Sequence, residues 1–358
     1  NTTCLCTNQQ VIAELGACVL EKCSVRDALS MQKFSDETCG KVMVDKSGPA
    51  RIVPPIFGAL AVLLFVIRIV ARFTSGKRSW GADDWAIVPA VVAMIALVVL
   101  CGFLANDGLG IDMWYLDPDR ITYLLRTFFW GEVLYVFIIP VTKISVLIFY
   151  LQIFPERFYR RATMTLIVLN ACYLVAFLLT TVLQCTPVEG AWLTWDGTYH
   201  AECRSLNKQV WAAALTGIIL DVAMLVLPMP ALWKLKMSIR KKLQVMFMFS
   251  LGIFVTIVSA VRLQYIVAFA TTRNPTQDFV PVGIWSVVEV SVSIICACLP
   301  ALRSLLALAM PKSFGTTHKS GKTSEYTSGM RSNAQSNVQS SRIRVKSEFT
   351  VQSRRPED

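Results

Sequence analysis

The sequence predicts an all-α membrane protein: a seven-transmembrane helix bundle, preceded by a small disulfide-rich helical domain and followed by a disordered tail. Three observations support this prediction. Hydrophobic residues make up 54% of the chain and charged residues only 16%, with a mean hydropathy of +0.52. The apolar residues form long blocks, and five cysteines lie within the first forty residues. We therefore assign residues 1–47 to the cysteine-rich domain, 48–311 to the bundle and 312–358 to the tail.

The first forty residues are too few to build a stable hydrophobic core without cross-links. Their cysteines are Cys4, Cys6, Cys18, Cys23 and Cys39. Apolar residues at positions 11, 12, 15 and 19 have helical spacing after a capping asparagine at position 8, and a second short helix is predicted near position 25. Cys-x-Cys is not the usual spacing of zinc ligands and no histidine is near, so we predict no metal site.

Seven apolar blocks are long enough for the about 20 residues that a bilayer requires. They cover Ile52–Val70, Trp85–Ala105, Phe128–Tyr150, Met164–Leu183, Val210–Trp233, Val245–Ala270 and Val280–Met310. The tail after them is rich in Ser, Thr, Gly, Lys and Arg. It has too few apolar residues to offset chain entropy, and this composition predicts disorder.

Loop charge predicts the orientation of the chain. One set of loops contains eleven Lys and Arg residues and the opposite set contains five. Because basic loops remain cytosolic, the N-terminus is predicted outside and the tail inside, in a multi-pass protein of the plasma membrane. Cys185 and Cys203 share the loop between the fourth and fifth blocks, on the same oxidising side as the N-terminal cysteines. We expect these two to form a disulfide.

The charged residues inside the blocks include Lys143, Asp221, Arg262, Glu289 and Glu132, and an unpaired charge there costs several kcal/mol. Counting residues from the block ends places Lys143 and Asp221 near the middle or inner half, and Arg262, Glu289 and Glu132 in the outer half. We therefore predict a Lys143–Asp221 pair and an Arg262–Glu289 pair, with Glu132 as the alternative partner of Arg262. Such pairs either fix helix register alone or open when an effector shifts the bundle between two states.

Several function classes are excluded. The basic residues lie in short loops and in the tail, without the interleaved aromatics that stack on bases, so no nucleic-acid partner is expected. The two histidines, His200 and His318, are predicted on opposite sides of the membrane, and no catalytic set is found. Asp83 and Asp84 are interpreted as a helix start. The seventh block contains no lysine that could form a retinal Schiff base. We expect neither an enzyme nor a cofactor.

The segment CLCTNQQVIAELGACVLEKCSVRDALSMQKFSDETCG resembles the C-terminal part of a CFEM domain, an eight-cysteine module of fungal surface proteins. The resemblance implies a Cys6–Cys39 disulfide and partners for Cys4, Cys18 and Cys23 in a segment that this sequence does not include, so we expect a truncated domain. Some CFEM domains bind haem through an aspartate at the position of Asn1. A neutral amide cannot act as that carboxylate ligand, so haem binding is not carried over. Asn1 also begins a glycosylation sequon.

A second resemblance covers residues 52–310. GADDW, TKISVLIFYLQIF, LQCTP, DVAMLVLPMPALWKLKMSIRKK and ICACLPALRSLL, in this order, resemble the fungal rhodopsin-type seven-helix family. Members with an N-terminal CFEM domain resemble fungal receptor-like proteins that sense host surfaces. The resemblance implies a receptor that binds an unknown extracellular ligand or surface and signals to cytosolic partners, by analogy a heterotrimeric G protein. The alternatives are a transporter or channel, or an accessory membrane protein of a metabolic cluster.

Overall fold

The computed structural model describes residues 6, 8–74, 81–153, 156–230, 239–269 and 274–309. Two short helices, α1 (Gln9–Lys22) and α2 (Val25–Thr38), form the cysteine-rich domain, with the Asn8 side chain capping α1. The bundle consists of α3 (Gly48–Thr74), α4 (Ala82–Asn106), α5 (Pro118–Ile153), α6 (Arg157–Val182), α8 (Leu206–Val226), α9 (Ile239–Phe269) and α10 (Pro275–Ala309).

These seven helices form an all-α membrane bundle. Six of them, all except α9, are long and apolar enough to cross a bilayer over their described residues. The remaining helix, α9, has 31 residues, with a described apolar stretch at Gly252–Ile266. The predicted tail, 312–358, lies outside the described residues.

Most helix ends differ by several residues from the predicted blocks, and the start of α5 differs most. α5 begins at Pro118, ten residues before the predicted start at Phe128. Proline suits the first turn of a helix, where its missing N–H is not needed, and the added turns carry polar residues that hydropathy alone excluded. α8 ends at Val226, before the predicted end at Trp233, which lies outside the described residues.

The helices close into a ring in which α10 packs against α3, and α4, α5 and α10 supply most of the buried core. Met94, Ile138, Val290 and Ile294 are fully buried where these three helices meet. By contrast, α6 and α8 bury few residues and leave apolar faces exposed. Such faces suit contact with lipid.

The segment between α2 and α3 is held by the loops on its side of the bundle. The Lys46 N–H donates to the Gly110 carbonyl at 3.0 Å, and the Gly110 N–H donates to the Thr276 carbonyl at 3.0 Å. Gly110 has φ +97°, and a β-carbon there would lie 2.5 Å from the Ser47 nitrogen. Only glycine fits both the backbone conformation and the close approach.

The loop after α6 is a two-stranded hairpin that encloses a short helix. Strands β1 (Cys185–Thr186) and β2 (Glu202–Cys203) pair antiparallel, and the Cys185–Cys203 disulfide joins them. Between the strands lie α7 (Gly190–Leu193) and a 3₁₀ turn at Thr194–Asp196. The loop is fastened to α5, because Trp195 Nε1 donates to the Thr122 hydroxyl at 3.0 Å.

Candidate functional site

Among the described residues, three polar clusters lie inside the bundle, and the first surrounds Glu289. Arg262 Nε lies 2.7 Å from Glu289 Oε2, and the Tyr135 hydroxyl donates to the same oxygen at 2.8 Å. The Ser259 hydroxyl donates to the other oxygen. The Arg262 guanidinium also lies 4.4 Å from the centre of the Tyr135 ring, within cation–π range. This Glu289 cluster joins α5, α9 and α10 through one buried carboxylate.

The second cluster is the Lys143–Asp221 pair between α5 and α8. Lys143 Nζ lies 2.9 Å from Asp221 Oδ1 and also donates to the Gly217 carbonyl at 3.3 Å. Both side chains line a cavity of about 80 Å³ together with Thr142 and Ser293. A polar cavity of this size has room for water molecules. The cavity can therefore hold water beside the ion pair.

The third cluster joins two arginines of α3 to two aspartates at the start of α4. Arg68 donates to Asp83 Oδ2 at 2.6 Å and to Asp84 Oδ1 at 2.8 Å. Arg72 Nη2 donates to Asp83 Oδ2 at 2.6 Å. Gln152 of α5 donates to Asp83 Oδ1 at 2.9 Å. Arg68, Asp83 and Asp84 are buried, so this arginine–aspartate cluster is paired inside the protein.

Two helices run through more than one cluster. α5 contributes Tyr135 to the first, Lys143 to the second and Gln152 to the third, over a rise of about 25 Å. α10 contributes Glu289 to the first, and its Ala297 carbonyl accepts a hydrogen bond from Arg68 in the third. A shift of α5 or α10 along its axis would therefore disturb polar contacts at both ends of the bundle.

The structure thus brings Lys143 to Asp221 and Arg262 to Glu289. It does not pair Arg262 with the alternative partner: Glu132 makes no hydrogen bond or ion pair with another described residue. Glu132 belongs to α5 and Glu289 to α10, and Arg262 of α9 pairs with the carboxylate of α10.

The cysteines outside the bundle helices fall into three groups. Cys6 is bonded to Cys39, as the CFEM resemblance implied, and Cys185 is bonded to Cys203. Cys18 and Cys23 are exposed thiols. Cys4 lies outside the described residues, as does Asn1, which occupies both the haem-ligand position of the CFEM pattern and the start of the sequon.

Sequence reasoning missed the arginine–aspartate cluster. It took Asp83 and Asp84 as a helix start only. Asp84 does accept from the Gly81 N–H at 3.1 Å, but both carboxylates are buried against α3. The available signal was the spacing of Arg68 and Arg72, which places both on one helix face opposite the two acids.

The cysteine-rich domain is tied to the loop that follows α6. Arg26 of α2 donates to Asp196 Oδ2 through Nη2 at 2.7 Å and Nε at 3.1 Å. The backbone N–H and hydroxyl of Thr198 donate to the other oxygen. The hydrogen bonds from Thr198, and then Arg26, lower the pKa of Asp196 below its ordinary value of 3.8. The carboxylate is therefore charged, and its contact with Arg26 is intact, at neutral pH.

The described side chains do not assemble a metal centre. Over the described ranges, no group of three or more His, Cys, Asp or Glu side chains could hold a metal ion. The amide at position 1 does not fit a ferric haem, because it lacks the negative charge of a carboxylate ligand.

Comparison with known proteins agrees with this architecture. The family model described as the fungal rhodopsin domain matches residues 67–308, and the CFEM domain model matches residues 1–40. The chain is 30% identical to a SAT4 family membrane protein of Emericella nidulans over 257 residues, covering 67% of this chain and 64% of that protein. No solved structure matches the chain.

Two further relatives differ in how much of their length is matched. The polyenoic acids biosynthesis gene cluster protein Ba17b of Metarhizium anisopliae is 27% identical over 76% of this chain and 77% of its own length. The receptor GIN3 of Arthrobotrys oligospora is 27% identical over 56% of this chain, which spans only 48% of that receptor. With seven bundle helices, a Cys6–Cys39 disulfide and a family match over most of its length, the chain belongs to the fungal rhodopsin domain family and carries a CFEM domain at its N-terminal end.

Proposed function

We propose that this protein is a fungal cell-surface receptor: a cue acts on its extracellular side, and the helix bundle relays the change to cytosolic partners, among them a heterotrimeric G protein. The observation that carries the proposal is the presence of α5 in all three polar clusters. Likeness to the receptor GIN3 supports the same role.

The proposed topology places the cysteine-rich domain and the Cys185–Cys203 loop outside the cell and the tail inside, at the plasma membrane. The disulfides support this placement, because they persist in an oxidising compartment. The basic loops predicted from the sequence support a cytosolic position for the opposite end. Antibody access to epitope tags at the two chain ends, in intact and permeabilised cells, tests the arrangement directly.

The proposed switch is the Lys143–Asp221 pair. Both charges are largely buried, with side-chain exposures of 11% and 14%, but they line a cavity that can admit water. A cue shifts the bundle only if it binds one arrangement of the helices more tightly than the other. A bundle in which Lys143 and Asp221 lie apart is such an arrangement. Cavity water or Ser293 can then replace part of the hydrogen bonding that the pair loses.

A Gα recruitment assay tests the proposal without a known ligand. The full chain and a co-expressed Gα subunit carry luminescent and fluorescent tags, and energy transfer is measured at matched surface expression. Asp221→Asn keeps the side-chain volume but removes the ion pair, so basal recruitment is expected to change at least about threefold, a free-energy shift of about 0.7 kcal/mol or more. Cys172→Ser, an exposed change on α6, is the matched control.

The exchanged double variant, Lys143→Asp with Asp221→Lys, should restore the wild-type level because it restores the pair. If the wild type and every variant recruit Gα no more than an unrelated membrane protein does, G-protein coupling is refuted. Recruitment that is real but unaffected by Asp221→Asn would refute the switch.

A second candidate function rests on a different observation. The matched region of Ba17b, a biosynthesis gene cluster protein, includes most of both chains. An accessory or transport role in metabolite production would use the Lys143–Asp221 cavity as a polar path. Deletion that alters metabolite export while Gα recruitment is absent would favour this role over a receptor.

A further inference from the structure

A half-open groove of about 310 Å³ lies between the cysteine-rich domain and the bundle. One wall is a single face of α2, running from Arg26 to Glu37. The opposite wall is formed by the segment before α5 and its first turn, together with Trp195 of the disulfide-closed loop. The volume is at the lower end of the about 300–1,000 Å³ typical of small-molecule sites.

The groove offers aromatic surfaces, and one of the residues in its wall has an unsatisfied donor that is closed to solvent. Phe34, Trp114 and Trp195 all line it. The Trp114 indole nitrogen is buried and has no hydrogen-bond partner among the described residues. A buried N–H without an acceptor is costly, and an incoming ligand that supplies an acceptor removes the cost. The Trp195 indole, by contrast, already donates to Thr122.

Charges of both signs surround these aromatic groups. Lys33 and Glu37 make no ion pair with another described residue, and Asp117 has only a loose contact with exposed Arg120 at 3.9 Å. Arg26 is already held by Asp196. An anionic ligand would meet the two carboxylates, and a cationic one would meet Lys33. The groove therefore favours a neutral ligand that both donates and accepts hydrogen bonds.

We propose that this groove binds a neutral saccharide of one or two pyranose rings. Sugar hydroxyls accept from Lys33 and, when the indole ring turns towards the groove, from Trp114, and they donate to Glu37 and Asp117. The apolar C–H face of a pyranose ring packs on an aromatic face, as amphipathic aromatic side chains permit. A fatty acid would bring a negative charge to the carboxylates, and a hydrocarbon would leave the polar groups unpaired. A saccharide satisfies the mixed charges and the flat apolar walls together.

The position of the groove also couples it to the bundle. Pro118 and Ile121 in its wall belong to the first turn of α5, the helix that contacts all three polar clusters. A bound saccharide would therefore touch the helix that the proposed switch uses. Binding itself does not depend on signalling, so it is tested separately from the receptor proposal.

The test is saturation-transfer difference NMR with the full chain in lipid nanodiscs and cellobiose or N,N′-diacetylchitobiose as the probe. Alkyl maltoside detergents are avoided because their sugar headgroups would compete. Saturable transfer to the ring C–H protons is expected. Trp114→Phe, which keeps an aromatic ring and removes the N–H, should weaken binding about 3- to 10-fold, the loss of one neutral hydrogen bond.

Two further variants make the result interpretable. Phe34→Ala removes an exposed groove wall and should weaken binding with no loss of folding, whereas Met31→Ala, exposed on α2 outside the groove, should leave binding unchanged. No saturable transfer from either disaccharide would overturn the proposal. So would transfer that Trp114→Phe and Phe34→Ala leave unaltered, or binding of decanoate or a neutral tripeptide in place of the sugars. If a saccharide binds but Gα is not recruited, the binding site is supported and the receptor proposal is refuted.

Discussion

Replacing Arg68 by alanine should destabilise the bundle more than any other single change in the arginine–aspartate cluster. Arg68 is 3% exposed and donates to Asp83, Asp84 and the Ala297 carbonyl. Without it, Arg72 is the one arginine left on the two carboxylates among the described residues. Asp83 is fully buried and cannot recover its lost hydrogen bonds from water.

The magnitude follows from burial. Removing one partner of a buried ion pair costs about 3–5 kcal/mol, because the other charge stays buried without full compensation. The Arg72 side chain is 28% exposed, so Arg72→Ala lies closer to the about 0–1 kcal/mol of surface pairs. Arg68→Ala should therefore exceed Arg72→Ala by about 2 kcal/mol or more. Arg68→Met with Asp83→Asn should recover part of the loss, because neutral replacement of both partners removes the bare charge.

Thermal unfolding in nanodiscs measures the effect, followed by circular dichroism and by a thiol-reactive dye. Cys101 and Cys298 are buried, so they react only on unfolding, whereas Cys18 and Cys23 react beforehand. The melting temperature of Arg68→Ala should fall by about 6–20 °C. Equal melting of Arg68→Ala and the wild type, or a larger fall for Arg72→Ala, would refute the reasoning.

Three further predictions test other parts of the fold. A β-carbon at Gly58 would meet a valine side chain of α4 at 2.8 Å, so Gly58→Ala should cost about 1–3 kcal/mol in melting experiments. At Gly102 an added β-carbon would meet nothing within 4 Å, so Gly102→Ala should be neutral or stabilising by up to about 1 kcal/mol. A larger loss of stability for Gly102→Ala than for Gly58→Ala would contradict the close approach of α3 and α4. Cys185→Ser should cost about 3 kcal/mol by opening the loop, and a reductant should then have no further effect on that loop in the variant. Because its pKa is lowered, Asp196 stabilises the Arg26 contact above pH 3.8, and this stabilisation is lost as pH falls through the lowered pKa. Hydrogen exchange in α2 should therefore rise in acid, and Asp196→Asn should show the faster exchange already at neutral pH; pH-independent exchange in the wild type would contradict this.

Much of the architecture was predictable because its causes are local. Hydropathy over about 20 residues identifies each bundle helix, and the spacing after Asn8 identifies α1. The ends of helices were less predictable. α5 starts at Pro118 because its first turns pack against the disulfide-closed loop, and no window of hydropathy contains that contact.

The candidate site was likewise predictable only in part. A charge within an apolar block must find a partner, so the sequence pointed to Lys143, Asp221, Arg262 and Glu289 as a group. It could not choose between Glu289 and Glu132, because that choice depends on how α5 and α10 are rotated towards α9.

By itself the sequence determined that this chain crosses lipid repeatedly, carries a cross-linked cysteine-rich domain and must neutralise several charges within apolar helices. These are consequences of the free energy of transferring each residue from water. Tertiary structure alone decided that Arg68 meets Asp83 and Asp84, that α5 contacts three polar clusters, and that α2 faces Trp114 across a groove. Such contacts join residues far apart in the chain, and only the packing of whole helices brings them together.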